Sequence, residues 1–281
     1  GLDILSGERK HHARISGPWG EDGESLFDEQ RANQIKGNKS DILVSDGDLI
    51  YLRHMAFTPD LRPAQEGKDH LLTVSGFLDG AGHHRSYWTV APRLIYDTRI
   101  ADYIDADLLV VDGPRVFGTR ISASNRGPEV FDARTRGFML FALTRDEDRA
   151  GALRAEKIAA VTNRARQMTK AATRTVGALR RSKSSFALDW AGGVPINGKA
   201  MLKSGDALFI AGMPNELPEE DIYRAVEGRA GGSLVVFSAA DGKALKTYRL
   251  ESPPVWDGLA ASNGRLVMSL ASGHVQCWAS R

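Results

Sequence analysis

The sequence predicts an all-β chain of short antiparallel ribbons, and three observations carry that reading. The stretch 231–278, GGSLVVFSAADGKALKTYRLESPPVWDGLAASNGRLVMSLASGHVQCW, holds three tight-turn signals, Asp241-Gly242, Asn263-Gly264 and Ser272-Gly273. Each lies between runs rich in β-branched or apolar residues, which suit a pleated, half-buried surface. Weaker copies of the same strand–turn–strand unit recur around Gly47, Gly113 and Gly205. Many short strands separated by such turns read as a sandwich, a barrel or a propeller.

Taken in order, residues 2–15 (LDILSGERKHHARI) fit a hairpin around Ser6-Gly7, and the polar, glycine-rich 17–39 reads as a connecting loop. Asp41–Phe57 forms a strand pair about Gly47, His70–Phe77 a third strand, and Ser86–Val90 the strand that completes a four-stranded unit. Asp107–Ile121 repeats the pair about Gly113, with Gly137–Leu143 as its third strand. Lys199–Met213 repeats it about Gly205, and Gly258–Leu270 about Gly264. Leu234–Phe237 turns at Gly242 into Ala244–Leu250, and Arg265–Leu270 turns at Gly273 into His274–Trp278. Pro253-Pro254 interrupts the ladder because proline has no N–H to donate. The turn glycines Gly47, Gly113, Gly205 and Gly264 are unevenly spaced, so extra residues are expected in loops between repeats.

The largest insertion is 149–185. Ala152–Ala178 has helical composition, with Ile158, Val161, Ala165, Met168, Ala172 and Val176 recurring every three or four residues. Part of it, Leu153–Val161, alternatively supplies a fourth strand. Arg164, Arg166, Lys170, Arg174, Arg180 and Arg181 make the insertion basic, either a surface for acidic partners or a solvated face.

Phe237–Tyr248 (FSAADGKALKTY) and the run SPPVWDGLAASNGRLVMSLASGHVQCW resemble the repeats of the PQQ-like, quinoprotein-dehydrogenase-type β-propeller family. The likeness is nearest to propeller domains of planctomycete-type envelope and secreted proteins, and Lys199–Pro214 and Val44–Phe57 fit it too. It implies one propeller domain over 1–281, of four-stranded antiparallel blades. About four blades fit in the chain, as a closed ring or as part of a seven- or eight-bladed wheel. It also implies a periplasmic, cell-envelope or extracellular location. Residues 1–10 carry no signal-peptide pattern and read as the middle of a blade, so the chain is expected to be part of a longer one.

Composition narrows function mostly by exclusion. A net charge of +2 offers no global attraction for nucleic acid, and no run is long and apolar enough for a transmembrane segment. The single cysteine forbids an intrachain disulfide and the vicinal cysteine pair on which quinoprotein alcohol dehydrogenases stack their cofactor. No serine elbow, P-loop or dinucleotide fingerprint is present.

The most versatile cluster is His83, His84, Arg85, Tyr87 and Trp88, with Trp19 as the tryptophan expected to be exposed. Adjacent strand residues point to opposite faces, so the two histidines do not chelate one metal together. The cluster reads as a ligand surface for sugars or anions or, more plainly, as packing. Trp190, Trp256 and Trp278 read as packing between blades. The expected function is a non-catalytic scaffold or binding module for protein or glycan partners in an envelope or secreted assembly, with no cofactor. The alternatives are a PQQ-dependent dehydrogenase or electron-transfer component, and a structural subunit that completes a multi-chain propeller through further blades or another chain.

Overall fold

The computed structural model describes residues 1–12, 42–52, 55–64, 69–73, 88–91, 104–121, 138–164, 173, 185–215, 221, 224 and 227–279. The fold is all-β, of small up-and-down antiparallel sheets, the blade construction of a β-propeller, with one long helix. The chain divides into two compact units, Gly1–Ile104 and Asp105–Arg281.

In the first unit residues 1–12 turn back at Gly7, φ 71°, with one bridge, Leu2↔Arg9; residues 13–15 of the expected hairpin lie outside the described residues. The segment 41–90 departs from its expected single blade. It gives a four-stranded sheet of β1 (Leu43–Ser45), β2 (Ile50–Leu52), β3 (Met55–Phe57) and β4 (Pro63–Ala64). β5 (His70–Thr73) and β6 (Trp88–Ala91) pair with each other in a different sheet. Tyr51 of β2 joins the two sheets by stacking on His70, ring centroids 3.9 Å apart. Its hydroxyl donates to Asp46 at 2.9 Å, and burial together with that carboxylate raises its pKa to about 12. β7 (Ile104–Ala106) spans the boundary between the units.

The second unit holds three blades. The first runs β8 (Leu108–Asp112), β9 (Arg115–Ile121), β10 (Phe138–Arg145) and β11 (Phe186–Val194). The second runs β12 (Ile196–Ser204), β13 (Ala207–Pro214), β14 (Gly232–Ser238) and β15 (Ala244–Leu250). The third has β16 (Pro254–Ser262), β17 (Arg265–Leu270) and β18 (Val275–Ala279). Strands within each blade are antiparallel and sequential, as two-residue turns at Gly113, Gly205 and Gly264 require. These three glycines have φ of 55°, 54° and 71°, which a β-carbon disfavours.

The central blade is buried on both faces, and this explains why LFIAGM and LVVF are apolar without alternation. Leu208, Ile210, Val235 and Phe237, together with Ile196 of the same blade, pack against Phe117, Phe138, Leu140 and Val194 of the first blade. Their neighbours Ala211 and Leu234 face the other way, onto Met268 and Leu270 of the third blade. Each large side chain buried in these seams contributes on the order of 1.5–3 kcal/mol by leaving water. The first strands of the blades lie together, with β12 between β8 and β16. Close approach there depends on Gly198, where an added Cβ would sit 3.1 Å from Leu108 Cδ1 and from Ile210 Cγ2.

The insertion lies elsewhere than expected. Its helix α1 (Glu147–Arg164) joins the third and fourth strands of one blade, not two blades. Leu153–Val161 is helical, which overturns the strand alternative; the fourth strand is β11. Asp146 caps the helix, with its Oδ1 accepting from the Arg149 N–H at 2.9 Å. The Arg149 guanidinium then docks the first turn on β11, donating to Asp189 at 2.5 Å and to the Leu188 carbonyl at 2.9 Å.

Candidate functional site

A lysine, a carboxylate and an indole come together where β8, β12 and β16 meet. Lys199 is the extra residue of a bulge in β12, where the register jumps from Gly198↔Gly212 to Ala200↔Ala211. The bulge is possible because residue 212 is glycine: a Cβ there would fall 2.0 Å from the Asn197 carbonyl oxygen. Trp256 belongs to a matching irregularity in β16, whose pairing with β17 lapses between Pro254 and Leu259. Asp257 beside it adopts φ 51°, uncommon for a residue with a side chain. A Cβ on Gly258 would meet Val255 Cγ2 at 2.5 Å, so that distortion too is written into a glycine.

These two bulges set the ammonium of Lys199 over the Trp256 ring, 5.2 Å from its centroid. Such a pair is held by the negative face of the indole. Lys199 is half-buried, and loss of hydration lowers its pKa, while the Asp107 carboxylate pulls the other way. Among the described residues no carboxylate lies within ion-pair distance of its nitrogen. Trp256 keeps 38% of its surface exposed, and its neighbour Val255 40%. The patch thus offers a cation and an aromatic face. Its named residues, Lys199, Trp256 and Asp107, include no serine, cysteine or histidine.

The blade seams contain a second polar cluster, and it is structural. Asp189 accepts from Thr144 at 2.6 Å and lies 3.6 Å from Arg115 Nε. Arg115 and Trp190 both reach across to the Ala239 carbonyl of the next blade, at 2.9 and 3.2 Å. Trp190 also packs on Gly242, whose absent Cβ would be 2.5 Å from the ring. Lys203 bridges the same pair of blades through Asp112 at 2.6 Å.

The sequence-predicted residues fare unevenly. His83, His84, Arg85, Tyr87 and Trp19 lie outside the described residues, as do Arg166, Lys170, Arg174, Arg180 and Arg181. Trp88 is half-buried on β6, opposite Thr73. Next to it, the buried Thr89 hydroxyl has no hydrogen-bond partner among the described residues. Arg164 is the last residue of α1. Gly47, Gly113, Gly205, Gly242, Gly264 and Gly273 all have positive φ, as turn glycines should. Trp190 packs between blades and Trp278 is half-buried against the seam below Met268. Trp256 departs from its expected packing role, because the lapse in β16 pairing carries it to the surface.

Sequence reasoning missed Lys199 and Asp107, although a signal existed. Each stands six residues ahead of its turn glycine, Gly205 and Gly113, and Gly258 holds the same place ahead of Gly264. Equal offsets from equivalent turns put residues at equivalent places on neighbouring blades.

Among the described residues no group of three or more His, Cys, Asp or Glu side chains converges to hold a metal ion. No helix among them is long and apolar enough to cross a membrane.

No family model matches the chain, and no curated protein matches it. Among solved structures, the computationally designed Ika4 protein is similar at 10% identity over 89% of this chain and 98% of that one, with a TM-score of 0.33. Similarity at that level defines neither a family nor a fold.

Proposed function

We propose that the chain is a non-catalytic propeller scaffold or binding module, for protein or glycan partners in a larger envelope or secreted assembly. The observation that carries this reading is the third blade of the second unit. Its two siblings have four strands; this one has three among the described residues. Its edge strand β18, VQCWA, has no charge, whereas the neighbouring edge β15 carries Lys246 and Arg249. Natural sheet edges are guarded by such charges, and an unguarded edge is a template for another strand. The sheet face that bears Val275 and Cys277 is exposed as well, Val275 to 65%. The same observation favours a second form of the reading, a subunit whose last blade is completed by another chain.

Solution mass tests this. Association beyond the 30.6-kDa chain, abolished by Cys277→Lys with folding intact, supports pairing through β18. A species of single-chain mass at every concentration, unaffected by that charge, removes the blade-completion form.

A further inference from the structure

We infer that the Lys199–Trp256 patch is a binding site for an acidic sugar, a uronate residue stacked on the exposed indole with its carboxylate on the Lys199 ammonium. This deepens the glycan part of the reading above and does not involve the β18 edge.

Four observations converge on it. First, the cation is set in place by the fold: Lys199 is the looped-out residue of a bulge that Gly212 makes possible. A lysine stem fixed at its base loses less freedom when it binds than one on an open surface. Second, that cation has no carboxylate in ion-pair range among the described residues, though it is half removed from water. Every other lysine for which an ion pair is seen, Lys10, Lys203 and Lys243, has its carboxylate within 2.7 Å. A partly desolvated ammonium held over an indole is a site where an incoming anion gains more than it would in open water.

Third, Trp256 is 38% exposed, carried outward where the pairing of β16 with β17 lapses between Pro254 and Leu259. An exposed tryptophan supplies flat contact area at small side-chain entropic cost. Sugars present C–H faces that pack on such a surface. Fourth, burial lowers the Lys199 pKa and the Asp107 carboxylate opposes that shift; a negative charge acting on the same ammonium disfavours a multiply charged anion more than a singly charged one.

The test uses the full chain and two trisaccharides that differ only in charge, a galacturonate and its neutral galactose counterpart, followed by NMR of methylated lysine side chains and by calorimetry. The acidic sugar is expected to bind, to move the Lys199 signal, and to weaken as salt is added. The neutral sugar is expected to bind at least about tenfold more weakly. Lys199→Gln and Trp256→Ala should each lose about tenfold or more in affinity, while Lys199→Arg retains binding and certifies that charge is what matters. Unchanged thermal unfolding of Lys199→Gln shows that its loss is not a loss of fold. Equal affinity for the two sugars, full binding by Lys199→Gln, displacement by an equal concentration of inorganic phosphate, or no binding at all would each overturn the proposal. All four leave pairing through β18 standing.

Discussion

Replacing Gly212 by alanine probes the fold and the site together. Gly212 lies buried in the central strand β13, between Gly198 of β12 and Ser233 of β14. A methyl group there would come 2.0 Å from the Asn197 oxygen, 2.8 Å from the Asn197 carbonyl carbon and 2.9 Å from the Gly198 Cα. All three are backbone atoms, so no rotamer change relieves the clash and the bulge itself must move. Overpacking of this kind costs typically 1–3 kcal/mol, and a backbone clash belongs at the upper end, about 3 kcal/mol. For a folding unit of this size that is a fall of about 6–12 °C in Tm. Two other glycines calibrate the scale. Gly205→Ala meets nothing within 4 Å but must hold φ 54°, a strain of about 1–2 kcal/mol. Gly192→Ala, exposed in β11 with open space around it, is expected to be neutral or to stabilise by about 0.4–1 kcal/mol through the unfolded chain. Urea and thermal unfolding of the three variants read the order. Since the bulge presents Lys199, Gly212→Ala should also shift Trp256 fluorescence by moving the ammonium off the ring, and the other two should not. If Gly212→Ala proves no more costly than Gly205→Ala, the account of the bulge is wrong.

Two further expectations concern turns and caps. Asp146→Ala removes the acceptor for the Arg149 N–H and should cost about 1 kcal/mol, read as faster hydrogen exchange across Glu147–Arg164 with the sheets unaffected; unchanged exchange would show that the cap does not hold the helix. Asp241 pairs with Lys243 at 2.7 Å, which with the Ser238 hydroxyl and the Lys243 N–H lowers its pKa from 3.8 to about 2. The folded chain therefore favours the ionised form, so this contribution is complete above the unfolded value and disappears as pH falls through about 2. A carboxyl carbon titration should place the midpoint there, and Asp241→Asn should flatten the acid-side slope of stability between about pH 4 and 2; a midpoint at the ordinary value would refute the pairing.

How much of this was legible in the sequence depended on how locally each feature is encoded. The turns at Gly113, Gly205, Gly242, Gly264 and Gly273 were, because a positive φ in a short loop leaves few choices of residue. So were β8 through β10 and β12 through β18, whose apolar runs the turns delimit, except that Pro254, expected to interrupt the ladder, opens β16 opposite Leu270. The blade expected over 41–90 was not, since its strands are only two to four residues long and a short apolar run says nothing about which sheet it joins. Nor was the place of the insertion. Glycine spacing measures how many residues lie between blades and cannot say between which strands they fall. The Lys199–Trp256 patch escaped because both residues sit in irregularities. Trp256 looked like packing because aromatic residues in strands usually pack, and only the lapse between Pro254 and Leu259 turns it outward.

The way α1 joins its blade bears on how the chain could be rebuilt. Arg145 and Phe186 are cross-strand partners, and the Asp146 N–H bonds the Ser185 carbonyl at 2.7 Å. Everything from 146 to 185 therefore leaves and re-enters the sheet through a doorway one residue pair wide. The ladder is zipped up to that threshold whatever lies beyond it, and lengthening a closed loop costs only logarithmically. Such a doorway is a natural graft point. A protein engineer could hang a foreign domain there beyond the first turn of α1, which has to stay because its Arg149 holds Asp189 of the seam cluster.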